Sequence, residues 1–366
     1  MTEWRECKLG DVIVLNYGKA LPEKKRVFGN IPVYSSAGLT GYHNESLVNG
    51  RGIIIGRKGT IGSVHFSYKP FWCIDTAYYI TDNEEYNLKY IYYLLQTLGL
   101  NELNEDSAVP GLNRNTAYQQ DISFPPLPEQ KAIAEFLSSL DDKIDLLTRQ
   151  NNTLEDLGQA FFRKWFVEDA DEKLKKYPLS ELMVIQNGFA FRSRDYQDAG
   201  KYKIVTIKNV QDGFIDTSGT TFLNQLPVGM PDYVLLTIGD VLISLTGNVG
   251  RVGIVVEDNL LLNQRVAKIS PYNPEYLPFL YFYFRNETTR EYLINLAHGT
   301  AQANLSPIET LKTEVSFSKT LIKKYSELFM PMYQKIIKNK QQIIVLQKLR
   351  DTLLPKLISG EVRVKL

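Results

Sequence analysis

The chain has 366 residues, 44% hydrophobic and 23% charged, with 42 Lys plus Arg against 41 Asp plus Glu. This is a globular composition, and the length suits two or three domains. A formal charge of +1 excludes bulk basicity as the basis of nucleic-acid binding, so any phosphate-binding surface must come from local patches. With only Cys7 and Cys73 and no charged-then-apolar leader, neither a disulfide framework nor a secretion signal is expected, and a reducing cytoplasm is the expected compartment. The longest apolar runs, such as 234–238, fall far short of the ~20 residues of a membrane span, so no membrane partner is expected.

In chain order, the first half carries a basic cluster, Lys24, Lys25 and Arg26, and then a strand-like run closed by a glycine hairpin, GIIIGRKGTIG at 52–62. A short segment, Asp75-Thr76-Ala77, precedes an aromatic helix over Tyr90–Leu95 and a turn, Pro110-Gly111-Leu112-Asn113-Arg114. The second half repeats this order. Arg192 and Arg194 stand at the matching early stage, GDVLISLTGNVG occupies 239–250, and Gln264-Arg265-Val266-Ala267 leads to an aromatic helix over Tyr276–Phe284 and a turn at 300–305 containing Gln302 and Asn304. Gly59 and Gly62 then correspond to Gly247 and Gly250, and the pattern is that of a duplication with weak identity.

Each half runs into a long helical pattern. Ile133, Leu137, Leu140, Ile144, Leu147, Asn151, Leu154, Gly158, Phe161 and Trp165 follow an unbroken 4,3 spacing, a heptad seam. Pro128 and Glu129 supply the expected N-terminal chemistry, and about 40 residues would make a rod roughly 60 Å long. Tyr325, Phe329, Met332, Ile336, Asn339, Ile343, Leu346, Arg350, Leu353 and Leu357 repeat the spacing, each 192 residues after its counterpart. The stretch 127–172 has 5 basic and 11 acidic residues, net −6, whereas 319–358 has 9 basic and 2 acidic, net +7. Opposite charge with a shared heptad phase predicts that the rods pair with each other; the alternative is that each packs on its own globular half. For an antiparallel pair related by the internal repeat, i + (j − 192) is constant, and centring the first rod near residue 149 makes it 298, which sets Asn151 opposite Asn339. An asparagine in such a seam fixes register, unless it bonds instead to water or backbone.

Motifs for independent catalysis are missing. His43, His65, His298 and the two cysteines show no metal-ligand spacing. GRKGTIG matches neither a phosphate-binding P-loop nor a dinucleotide fingerprint, no G-x-S-x-G elbow occurs, and no catalytic residue is assigned. The glycine hairpins have two readings. Arg57 and Lys58 can approach phosphate, and Asn248 and Arg251 offer planar hydrogen-bonding groups, or both hairpins are simply tight turns in a sheet. Likewise Lys24, Lys25, Arg26, Arg192 and Arg194 are either DNA-contacting loops or ordinary solvated charge. Asn113, Arg114, Gln302 and Asn304 are of the types that pair bidentately with adenine or guanine edges.

The run 124–166, FPPLPEQKAIAEFLSSLDDKIDLLTRQNNTLEDLGQAFFRKWF, closely resembles the central conserved region of type I restriction-modification specificity subunits, with LPEQ-x-x-I-A-x-x-L at Leu127 to Leu137. The end, 346–364, LQKLRDTLLPKLISGEVRV, looks like that family's C-terminal conserved region, and Trp4 with Leu9-Gly10-Asp11 resembles its opening. The second half departs from this pattern, with Thr320-Leu321-Ile322-Lys323 where LPEQ would stand, which implies unequal partner-binding surfaces.

The resemblance implies an α+β protein with two similar target-recognition domains in a pseudo-two-fold arrangement, separated by two long antiparallel helices forming a coiled-coil spacer. The expected boundaries are 1–126 and 172–318 for the recognition domains, and 127–171 and 319–366 for the helices. The implied function is to read a bipartite target in double-stranded DNA and direct adenine-N6 methylation and restriction by two methylation subunits and the restriction subunits. In that picture this subunit is non-catalytic and holds no cofactor, while its partners use S-adenosylmethionine, ATP and Mg2+. Phe124-Pro125-Pro126-Leu127 lacks the polar first and aromatic last residue of a methyltransferase tetrad. A free-standing DNA-binding regulator and a coiled-coil scaffold are the competing readings. Phe136, Phe162 and Phe166, off the seam, are expected either to meet the methylation subunit or to pack on a recognition domain.

Overall fold

The computed structural model describes residues 4–103, 111–169, 176–298, 304–316 and 318–365, and the chain divides into two units, 1–144 with 346–366, and 145–345. The first comprises β1 (Arg5–Lys8), β2 (Asn16–Tyr17), β3 (Ile31–Ser35), β4 (Gly38–His43), β5 (Gly52–Gly56), β6 (Val64–Ser67), β7 (Trp72–Cys73), β8 (Ala77–Thr81), α1 (Leu88–Thr97), α2 (Arg114–Tyr118), β9 (Asp121–Phe124) and the start of α3 (Leu127–Arg163). Its centre is β5, where Ile53, Ile54 and Ile55 are all fully buried because the strand is covered on both faces. Period-2 alternation turns Ile53 and Ile55 toward α1, while Ile54 joins Val48, Phe71 and Cys73 on the other face. Each such side chain contributes about 1.5–3 kcal/mol of burial. The strands order as β2–β8–β5–β6 and β4–β3–β7, with β1 paired to β9. Helix α1 starts where the Asn87 side chain accepts the Tyr90 N–H at 3.0 Å, and it buries Tyr90, Ile91, Leu94 and Leu95.

The second unit comprises the rest of α3, β10 (Lys176–Pro178), β11 (Met183–Asn187), β12 (Tyr202–Val205), β13 (Gly213–Phe214), β14 (Phe222–Leu223), β15 (Val241–Ser244), β16 (Val252–Ile254), β17 (Leu260–Leu262), β18 (Val266–Pro271), α4 (Leu277–Arg285), α5 (Glu287–His298), α6 (Pro307–Lys312), β19 (Glu314–Ser316) and most of α7 (Lys319–Ile358). Its sheets repeat the plan: β11–β18–β15–β16–β13, β14–β12–β17 and β10–β19. In both units a parallel pair, β3 with β7 and β12 with β17, lies within the three-stranded sheet. The fold is α+β, with two similar domains and two long helices. Helix α4 is apolar around its circumference and buries 278–284 completely or nearly so, as expected of a helix covered on every side.

The long helices start at Leu127 and Lys319, and the division into units runs through both of them. The physical reason lies in the packing. Ile133, Ala134 and Leu137 of α3 share the first unit's core with Leu357 and Ile358, whereas Phe162 belongs to the second unit's core with Phe279, Tyr325 and Phe329.

Within each unit α3 and α7 run antiparallel. In the second, Asn339 Nδ2 donates to Asn151 Oδ1 at 2.9 Å and the Tyr325 hydroxyl donates to the Gly158 carbonyl at 2.8 Å. In the first, Arg350 Nη1 donates to Asp141 Oδ1 at 2.8 Å. Ile133, Leu137, Leu140, Leu147, Asn151, Ile336 and Asn339 are buried, while Ile144, Leu154, Met332, Ile343, Leu346 and Leu353 are half-buried. Lys340 reaches Glu155 at 3.4 Å, an ion pair of the kind the opposite helix charges predict.

The seam departs from its heptad at the end of α3. Phe161 is 37% exposed, whereas Phe162, off the seam, is 2% exposed. A straight helix drifts ~20° per heptad from a 3.5 repeat, Gly158 admits the Phe282 ring, and 164–168 winds as a π turn. Trp165 stays half-buried against Tyr325. Phe162 and Phe166 thus pack on Phe279 and Tyr325 and are core residues, leaving Phe136, at 39%, exposed.

Candidate nucleic-acid interface

Both glycine hairpins are tight turns built to one plan. Gly59, Gly62, Gly247 and Gly250 all have positive φ, between 68° and 78°, which favours glycine. In the first, Gly62 N–H donates to Gly56 O and Gly56 N–H to Ser63 O; in the second, Gly250 N–H donates to Ser244 O and Ser244 N–H to Arg251 O. Each hairpin is then met by the turn that closes its domain. Lys58 bridges Gly111 and Leu112 N–H donates to Arg57 O; Thr246 bridges Asn304 and Leu305 N–H donates to Leu245 O. The duplication therefore extends to individual hydrogen bonds.

On this frame the first unit assembles a cationic pocket of about 220 Å³, lined by Tyr17, Arg57, Lys58, Tyr78, Gly111, Leu112, Asn113 and Arg114. Four of the residues singled out in the sequence, Arg57, Lys58, Asn113 and Arg114, meet here. Tyr17 was not among them, yet it organises the site: the guanidinium carbons of Arg57 and Arg114 both lie 5.1 Å from its ring centroid. Its ring meets Tyr78 edge-on at 5.1 Å. Arg57 Nη1 donates to the Asp75 carbonyl at 2.9 Å. Arg114 Nε is buried without a hydrogen-bond partner among the described residues. Asn113 caps α2, its side chain accepting the Asn115 N–H at 2.8 Å, a structural use of its oxygen. Burial, and then Tyr17, push the Tyr78 hydroxyl up to about 12, with Arg57 and Arg114 acting in the opposite direction; it stays protonated at neutral pH and donates to Leu112 O at 3.0 Å.

The remaining candidates do not join this pocket. Lys24 and Lys25 are exposed, whereas Arg26 is half-buried and donates to the Thr40 and Leu21 carbonyls at 2.6 and 3.5 Å. Arg192 and Arg194 are exposed on the equivalent turn of the second unit. Asn248 and Asn304 are exposed, and Arg251 Nη1 donates to Gln211 Oε1 at 2.9 Å. Gln302 lies outside the described residues. Among the described residues no group of three or more His, Cys, Asp or Glu is placed to hold a metal ion, and no helix is long and apolar enough to cross a membrane.

A model of the type I restriction modification DNA specificity domain matches residues 1–156 and again 171–317. The chain belongs to this specificity-domain family. It is 27% identical to the type I restriction enzyme MjaIX specificity subunit of Methanocaldococcus jannaschii, over 86% of this chain and 78% of that protein. It is 22% identical to the MjaVIII specificity subunit of the same organism, over 99% and 94%. A crystal structure of a type I restriction-modification system S subunit from M. genitalium superposes with a TM-score of 0.67 at 20% identity, covering 97% of this chain and 96% of that one, which shows a common fold.

The specificity-domain family supplies DNA recognition rather than catalysis, and three segments that carry the resemblance converge in the first unit. Glu129 of LPEQ, 4% exposed, accepts from Trp4 Nε1 at 3.0 Å and from Arg363 Nη2 at 2.7 Å, and the Arg363 guanidinium lies over the Trp4 ring. Gln130, 1% exposed, accepts the Asn87 N–H at 2.9 Å and donates to Pro125 O at 2.8 Å. Glu129 and Gln130 hold the fold together, while Leu127 of the same motif is half-buried and Pro128 exposed.

The same frame carries different chemistry in the second specificity domain. Gly18 and Gly188 make equivalent bonds, to Ala77 O and Val266 O, which aligns Tyr17 with Asn187. The hairpin and turn bonds align Arg57 with Leu245, Lys58 with Thr246 and Arg114 with Pro307. Among the described residues the arginine–tyrosine pocket is found in the first domain, and the second has no equivalent of it at these aligned positions.

Proposed function

We propose that this chain is the specificity subunit of a type I restriction-modification system, reading a bipartite target in double-stranded DNA with one half-site per domain. The observation that carries this reading is the repeated frame with divergent side chains. A common scaffold presents an arginine–tyrosine pocket in one copy and asparagine, leucine and threonine in the other, as two readers of different sequences require. In this reading two methylation subunits modify adenine N6 using S-adenosylmethionine, and restriction subunits join through the complex with ATP and Mg2+. The complex works in the cytoplasm. A subunit of net charge +1 binds DNA weakly alone, since phosphate neutralisation supplies most nonspecific affinity; the methylation subunits add that charge.

The test is selection from a randomised duplex pool by the chain co-purified with its methylation subunits. Enrichment of one two-part sequence with a fixed gap is expected. Equal enrichment by methylation subunits lacking this chain would contradict the reading, and selection of one sequence by the chain alone at physiological salt would favour the free-standing regulator.

A further inference from the structure

We propose that the Arg57–Tyr17–Arg114 stack is the guanine-reading element of the first domain. The inference rests on the specificity-subunit reading and assigns chemistry to one of its two half-sites.

Three cations, Arg57, Lys58 and Arg114, share a pocket. Among the described residues no carboxylate lines the pocket beside these like charges, and ligand acceptors facing them would be stabilising. The form of the cations narrows the choice. Two guanidiniums lie over one aromatic ring, each 5.1 Å from its centroid, so stacking fixes their position in advance of binding. Arg57 is further oriented by the Asp75 carbonyl, while Arg114 makes no hydrogen bond among the described residues and is positioned by its rings, Tyr17 and Tyr118. A planar donor fork held in place matches guanine O6 and N7 in the major groove, the commonest specific arginine contact. A phosphate accepts from many directions and does not need such orientation; the exposed Lys58 at the same pocket suits that role. The second domain has Asn187, Leu245 and Pro307 at the matching places, so the effect is confined to one half-site.

The test is long-read mapping of N6-methyladenine in cells expressing the complete complex with wild-type chain, Arg114→Lys, Arg114→Gln or Tyr17→Leu. Arg114→Lys keeps the charge and loses the fork. We expect it to turn one required guanine of one half-site degenerate, lowering discrimination there by about 5- to 150-fold, with the other half-site and the gap unchanged. Tyr17→Leu keeps both cations, loses the platform and is expected to relax the same half-site. Co-purification and thermal melting identify any variant that fails to fold; Tyr17→Leu and Arg114→Lys test the proposal independently of each other. An unchanged motif in folded Arg114→Gln overturns the proposal. So does a uniform loss of methylation in Arg114→Gln that Arg114→Lys restores, which would assign Arg114 to a phosphate, and so does a wild-type motif without guanine in either half-site. A wild-type complex that methylates no bipartite motif overturns the specificity-subunit reading as well, whereas a wild-type motif unaffected by the variants overturns this inference alone.

Discussion

Asn151 and Asn339 are 4% and 0% exposed, and the second unit joins them by one hydrogen bond of 2.9 Å. Asn339 Nδ2 also approaches Gln150 Oε1 at 3.5 Å, while its own Oδ1 is buried without a partner among the described residues. Asn339→Leu removes the donor to Asn151 Oδ1, and a stranded buried acceptor costs about 1–3 kcal/mol, against which the new apolar burial acts. Asn151→Leu leaves the Asn339 amide with only its 3.5 Å approach to Gln150 Oε1. The double variant removes both polar groups and lets apolar side chains meet, so the pair should be more stable than the two singles predict by about 1–3 kcal/mol. For a unit of 145–345 this corresponds to about 2–12 °C in Tm at roughly 2–4 °C per kcal/mol. Thermal melting of wild type, both singles and the double, followed by circular dichroism, closes the cycle. Additive Tm shifts, within about 1 °C, would refute the claim that the two asparagines are energetically one unit.

Further outcomes are expected at other sites. Gly158→Ala would place a Cβ 2.2 Å from Phe282 Cζ in a fully buried ring. Despite the higher helix propensity of alanine, it should destabilise the second unit by about 1–3 kcal/mol or more, and a raised Tm would contradict the α3–α4 packing. Gly62→Ala and Gly250→Ala both force a side chain onto positive φ, but the Gly62 Cβ would also meet the Asn101 backbone nitrogen at 2.2 Å, whereas the Gly250 Cβ meets only Arg290 Cγ at 3.8 Å. Gly62→Ala should therefore lower Tm more, and equal effects would refute the asymmetry. Burial, and then Asp75, push the Cys73 thiol up to about 12, so it remains protonated at pH 8. At most one thiol, that of the half-buried Cys7, should react with a thiol reagent in the native protein and two in denaturant; two fast native thiols would contradict the burial of β7.

The features with a period were legible in the sequence. The 4,3 spacing locates α3 and α7, and extrapolating the 192-residue repeat to an antiparallel pair places Asn151 against Asn339, where the structure has a hydrogen bond. The aromatic helices α1 and α4 and the paired hairpins were likewise visible, because local periodicity and glycine spacing encode them. The pocket was legible only in part. Arg57, Lys58, Asn113 and Arg114 stand beside turn glycines, but Tyr17 lies in a two-residue strand and acquires its role through its pairing with β8, which no local pattern reveals. The contact of Trp4, Glu129 and Arg363 joins the two ends of the chain to α3 and is equally non-local. Phe162 and Phe166 were ambiguous because a heptad identifies one face of a helix, whereas α4 covers a second.

The central claim is that this chain selects the DNA on which its partners act. The most direct measurement is a long-read map of N6-methyladenine in host cells carrying the methylation subunits, with and without this chain. The account predicts one bipartite methylated motif that vanishes when the chain is deleted; a methylation map unchanged by the deletion, despite a stable complex, would contradict it.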